Sequence, residues 1–401
     1  MAFCRWLVIS GCCLLATTVM AQKKELSLAR TYIKSGKNLD KAEMLMTDLL
    51  SKDPENRKND KIYQTWFQIV TKQYEVANEK LYLKQKYDTA AFFNITRKLY
   101  AIGATLDTLD AQPDEKGRVK LNYREDHAEL LDLLRPNLYY GGTYYLRKND
   151  YATAFDFFET YLEAGQWPLF TGYDYNKKDT RMPETAYWAT FAGYKMQDAS
   201  RTLRYCKEAV KDKERAKYVM QYACEAYHWQ DDEADYLKML QQGFAAYPEF
   251  PYFFPRLVDY YQGKNQPDSA LAYAEQALKV NPDTELFLLA KSVALLNLER
   301  YDECVKLSEQ LISKNDTLAE PYFNIATAKL NQVLELDKRD NPRQYRSRIR
   351  QLYMEALPRM EKYRKLAPDE KRKWAPALYR IYLNLNMGKQ FEEIDRVMKT
   401  L

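Results

Sequence analysis

Residues 251–283 read PYFFPRLVDYYQGKNQPDSALAYAEQALKVNPD. Phe254, Leu257, Val258 and Tyr261 fall at the three- and four-residue spacing that places side chains on one face of a helix. Ala270, Ala274 and Ala277 mark the buried stripe of a second helix, which Pro282 ends because proline has no N–H to continue the ladder. The same phase recurs outside this stretch at intervals of 34 residues. Met220, Phe254, Leu288 and Tyr322 hold one position of it; Cys224, Val258, Ser292 and Ala326 another; Cys206, Leu240, Ala274 and Ser308 a third. Five units in one register start at Pro183, Lys217, Pro251, Glu285 and Ala319.

This pattern resembles the tetratricopeptide repeat, a 34-residue helix–turn–helix with large residues then glycine and tyrosine on its first helix, small and aromatic residues on its second, and a closing proline. Leu138, Gly141-Gly142 and Tyr145, followed by Ala154 and Phe158, match it in an earlier unit. The resemblance implies an all-α, right-handed α-solenoid. About nine helix pairs are expected over 22–401, with insertions near 78–86, 105–134, 166–182 and 331–348. It is similar to secreted tetratricopeptide proteins of Gram-negative bacteria, because Met1–Ala21 has the layout of an export signal: Arg5, an apolar run from Leu7 to Val19, then Val19-Met20-Ala21 before Gln22. That run is too short to span a bilayer as an ordinary helix of about 20 residues. Ile9-Ser10-Gly11-Cys12 also resembles a lipobox, which would attach lipid at Cys12. An exported protein of the periplasm or cell envelope, with no transmembrane segment, is expected.

Composition excludes several function classes. Removal of Met1–Ala21 takes away one positive charge and leaves +4, nearly neutral and without the basic stripe that nucleic-acid binding requires. Tyrosine is abundant at 34 residues and glycine scarce at 12, which suits packed helices. Cys206, Cys224 and Cys304 remain at small repeat positions and read as buried thiols; with two histidines and no C-x-x-C after the leader, a zinc site is not expected. Asp231, Asp232, Glu233 and Asp235 beside His228 lie at a turn, where solvated charge is ordinary. No catalytic grouping, metal site or cofactor motif is present in the sequence, and the chain is read as non-catalytic.

What remains is surface. In the family, the second, fifth, ninth and twelfth residues of each first helix line a concave groove that binds peptides. The expected groove residues are Tyr139, Tyr187, Phe191, Tyr194, Tyr218, Glu225, His228, Tyr252 and Asp259. The family's basic clamp for C-terminal carboxylates has no counterpart on this face. Two functions follow: an adaptor that holds a segment of a partner protein, or a carbohydrate or small-molecule binder using the same rings.

Four further expectations concern structure. Leu121–Lys148 reads as one long helix. The aromatic insertion Gly165–Met182 either binds a partner or folds back onto the array. The helix Leu286–Leu298, apolar on almost every face, needs cover, and a long hairpin built from Pro321–Asp337 and a helix opened by Asn341-Pro342 is the candidate. Arg343, Arg346 and Arg350 on that hairpin are either a solvated face or a dock for an anionic partner.

Overall fold

A computed structural model describes residues 22–401. Met1–Ala21, with the expected export signal and Cys12, lie outside the described residues. Among those residues there is no strand. The helices are α1 (22–35), α2 (Leu39–Lys52), α3 (Asp60–Tyr82), α4 (Thr89–Asp110), α5 (Arg124–Leu134), α6 (Pro136–Arg147), α7 (Tyr151–Ala164), α8 (Tyr175–Lys178), α9 (Met182–Lys195), α10 (Ala199–Arg204), α11 (Cys206–Ala209), α12 (Ala216–Trp229), α13 (Glu233–Ala246), α14 (Phe253–Gly263), α15 (Pro267–Val280), α16 (Glu285–Asn297), α17 (Tyr301–Lys314), α18 (Glu320–Asp337), α19 (Arg346–Leu366), α20 (Lys371–Asn384) and α21 (Gly388–Met398). Helix packing divides them into two compact units, one up to Tyr236 and one from Leu237. Among the described residues a first (A) helix is followed by a second (B) helix nine times, in the tetratricopeptide order, with α5 and α8 as additions.

The repeat is written into the backbone. Gln197, Asp231, Asn265 and Glu299, each 34 residues from the next, all take the left-handed conformation at the A–B turn (φ 55°, 54°, 53° and 60°). Aspartates and an asparagine then start several helices: Asn59 accepts from the amide of Lys61, Asp88 from that of Ala90, Asp150 from that of Thr153 and Asp198 from that of Arg201.

In the first unit, α6 lies close on α7 because Gly141 and Gly142 carry no side chain. A Cβ on Gly141 would stand 2.6 Å from Phe157, and one on Gly142 2.3 Å from Phe158. Both phenylalanines are buried. The α9–α10 approach is as close, but there Gly193 is set against the backbone of Arg201 and Thr202 rather than a side chain.

Several expectations need correction. Leu121–Lys148 is two helices, α5 and α6. Pro136 cannot donate to the preceding turn, so the ladder stops at Arg135 and restarts with proline at the first helical position. The extra residues near 78–86 are present, the first five of them extending α3 to 23 residues and the rest lying in the turn before α4. Of the two readings of the insertion Gly165–Met182, the structure has the second. Leu169, Phe170 and Tyr175 are buried, and the segment packs on α4 and α5.

In the second unit, Ala270 is 1% exposed, and Val258 is buried too. The long hairpin is present as α18 and α19, but Asn341 makes no side-chain cap and a short 3-10 turn, Pro342–Tyr345, precedes α19. α19 packs on α18 and α20, while α16 has α15, α17 and α18 as neighbours. Leu289 and Val293 on α16 are half-buried and Leu286 is exposed, so the cover is partial; α18, the first arm of the hairpin, supplies part of it and α15 and α17 the rest. Cys224 and Cys304 are buried, and Cys206 is half-buried with its thiol on the Thr202 carbonyl at 3.1 Å. Burial pushes the thiols of Cys206 and Cys304 up to about 12 and about 11. No described helix is long and apolar enough to cross a membrane.

Candidate functional site

The A-helix surface of the first unit is aromatic. α9 supplies Tyr187, Trp188, Phe191 and Tyr194; α12 supplies Tyr218, Tyr222 and Trp229; α6 supplies Tyr139 and Tyr140. Neighbouring A helices bring the rings into contact. Tyr194 stacks on Tyr222 with centroids 4.4 Å apart and on Trp229 at 5.8 Å, while Tyr187 meets Trp188 edge-on at 4.9 Å. Burial is the main cause that raises the Tyr187 and Tyr222 phenols, whose hydroxyls also interact.

The expected groove residues separate by depth. Tyr187 is 8% exposed and belongs to the core, because the fifth position of the unit that starts at Pro183 faces Tyr222 of α12. Tyr139, Phe191, Tyr194 and Glu225 are half-buried; Tyr218 is 37% exposed and His228 is also exposed. Of the two residues in the second unit, Tyr252 is buried beneath the Arg256 guanidinium at 3.8 Å and Asp259 is exposed. Tyr187 and Tyr252 are thus packing groups, contrary to the expected groove surface.

The structure adds two arginines that counting along helix faces misses. Arg181 and Arg215, 34 residues apart, immediately precede α9 and α12. The repeat phase itself was the available signal. Arg215 lies over Tyr187 at 5.6 Å and Trp188 at 6.0 Å, pairs with Asp212 at 2.6 Å and has Glu184 at 3.7 Å. Arg181 lies over Tyr139 at 4.9 Å and Tyr140 at 5.7 Å, and among the described residues no carboxylate reaches its guanidinium. Tyr140 is 48% exposed. Burial, then the Glu184 carboxylate, raises the Tyr139 phenol. The result is a partly exposed strip in which guanidinium groups alternate with rings, suited to cation–π and charge-assisted contacts.

Beside this strip is a buried polar staple. Arg135 is sandwiched between the rings of Tyr161 (3.7 Å) and Tyr175 (3.8 Å) and pairs with Asp179. The Tyr161 hydroxyl donates to Asp179 at 2.6 Å, and that of Tyr175 to Asp132 at 2.5 Å. Burial alone would raise Asp179, but the hydrogen bonds from Tyr161, the Arg181 amide and Arg135 outweigh it and hold the carboxyl below its usual range. The staple pins the 165–182 insertion to α5, α6 and α7. Arg343, Arg346 and Arg350 are all exposed, as a solvated face requires. Among the described residues no group of histidine, cysteine and carboxylates is arranged to hold a metal ion.

No protein-family profile matches the chain, and no curated protein is similar in sequence. Solved structures similar to it are tetratricopeptide proteins. The C-terminal part of a TPR repeat-containing protein from Cytophaga hutchinsonii is 12% identical, over 64% of this chain and 92% of that one, with a TM-score of 0.43. MamA from AMB-1 is 17% identical, over 47% of this chain and 94% of that one, at 0.34. The TPR2AB domain of yeast Sti1, solved as a complex with pHSP90, is 11% identical, over 66% and 99%, at 0.23. At such scores the tetratricopeptide architecture rests on this chain's own paired helices and 34-residue phase.

Proposed function

We propose that this protein is a non-catalytic adaptor of the bacterial cell envelope that holds an extended, acid-bearing segment of a partner protein along the A-helix strip of its first unit. The observation that carries the reading is Arg181. Its guanidinium has two tyrosines for neighbours and, among the described residues, no carboxylate partner, so a partner's Asp or Glu would complete it, with Tyr140, Phe191, Tyr194 and Tyr218 providing ring area that loses little rotamer freedom on binding. Export, the envelope setting and a lipid at Cys12 as its alternative rest on the leader sequence.

A displayed library of extended peptides tests the reading. Selection on the wild-type protein should enrich Asp and Glu flanked by apolar residues. Arg181→Glu should abolish capture of the selected peptides and leave helicity intact. Selection with no acidic preference, or capture indifferent to Arg181→Glu, overturns the proposal.

A further inference from the structure

The B helices of the first unit carry a second concavity, distinct from the aromatic strip. An open groove of about 800 Å³ lies between α4 and α7, within the usual range of ligand sites, roughly 300–1,000 Å³. Asn94, Arg97, Asp156, Glu159, Thr160 and Trp167 give it its chemistry. Ala101 and Ala104 on α4 keep one side low. Trp167 is fixed from behind, stacked on Phe170 with centroids 6.4 Å apart and tilted against Tyr100 at 6.1 Å, so its ring is a preformed wall.

The charges in the groove are already matched. Arg97 pairs with Asp156 at 2.9 Å, Lys98 with Glu43 at 2.6 Å and Glu159 with Arg204 at 2.9 Å. Within the lining two cations, Arg97 and Lys98, stand against two carboxylates, Asp156 and Glu159, so no net charge selects a phosphate, a carboxylate or an amine. The groups keep further hydrogen-bonding capacity: a guanidinium has five N–H donors and a carboxylate about four lone-pair sites. Thr160 donates to the Asp156 carbonyl at 2.7 Å, and Asn94 gives one N–H to Tyr145 at 2.8 Å, leaving its carbonyl oxygen available. One aromatic wall facing paired ions, amide and hydroxyl is the lining that a polyhydroxylated ring requires: an apolar C–H face for the indole and hydroxyls for the polar side.

We propose that this groove binds a neutral oligosaccharide, with a sugar ring seated against Trp167 and its hydroxyls on Arg97, Asp156 and Glu159. The site shares no residue with the peptide strip, so both can be occupied at once.

Titration calorimetry and saturation-transfer NMR of residues 22–401 with cellohexaose, maltohexaose, mannohexaose and xylohexaose test it, with hexagalacturonate as the charged comparison. At least one neutral hexamer should bind, and Ala101→Trp, at an exposed position that fills the groove, should weaken it by about tenfold or more. Trp167→Ala should do the same, and Tyr140→Ala on the other face should change nothing. Absence of binding by all four neutral sugars, binding of hexagalacturonate alone, or undiminished binding by folded Ala101→Trp overturns the proposal.

Discussion

Gly193 shows how much can depend on one missing methyl group. A Cβ there would lie 2.5 Å from the Thr202 amide nitrogen and 2.7 Å from the Arg201 carbonyl carbon, both backbone atoms that cannot swing away. Replacing glycine with alanine inside a helix ordinarily gains about 1 kcal/mol. Here the overpacking cost of about 1–3 kcal/mol, or more, outweighs that gain. Gly193→Ala should therefore lower the denaturation midpoint, whereas Gly263→Ala, at the end of α14 with nothing within 4 Å of the new Cβ, should not. Chemical denaturation followed by circular dichroism decides between them. A second residue sets a pH dependence. His127 is buried between Phe67, 4.1 Å away, and Tyr123, and burial lowers its pKa below the ordinary 6.5 against the pull of Asp126, Asp110 and Asp107. Arg124, held by Asp107, stands in the same group. The unfolded chain thus takes up this proton before the folded one does. The stability associated with His127 is fully present above pH 6.5 and is lost as pH falls through the depressed folded value. Denaturation midpoints measured from pH 8 to 5 should decline below 6.5, and His127→Gln should flatten that part of the decline.

At the scale of the element, depth decides which tyrosines are packing and which are surface. Tyr187 is buried against Tyr222, so Tyr187→Ala should cost about 3–5 kcal/mol, in line with other large aromatic truncations in a core. Tyr218, 37% exposed on α12, should cost clearly less when truncated. Equal losses in thermal melts of the two variants would contradict this division. The same pair marks what the sequence could show. Helical spacing put both residues on one A-helix face, but that face bends into the next A helix at one residue and into solvent at the other. Only the packing of α9 on α12 separates them. The close contact behind Gly141-Gly142 was legible, because two adjacent helical glycines are costly unless something fills their space. The break at Pro136 was legible too, since a residue with no N–H and a fixed φ interrupts a helix and readily starts the next. Arg181 and Arg215 were hidden by lying one residue before their helices, where face counting does not reach.

For the whole molecule, the repeat phase carried the fold, since a 34-residue period fixes helix order without knowledge of any contact. It could not carry the insertions, whose sequences have no period; the packing of 165–182 emerges only with the Arg135 staple that holds it. Nor could it reveal that four successive B helices are cross-linked by ion pairs. Glu43 of α2 meets Lys98 of α4, Arg97 of α4 meets Asp156 of α7, and Glu159 and Glu163 of α7 meet Arg204 of α10. Each such link, partly exposed, contributes only about 0–1 kcal/mol and weakens as salt rises. Viewed mechanically, they are weak, re-formable ties along one side of a stack of packed helices. A load applied through the opposite side would stretch the ties before it disturbed the rings and glycines of the core. The first unit should accordingly behave as a spring whose stiffness is set by ionic strength while its unloaded form is set by its hydrophobic packing.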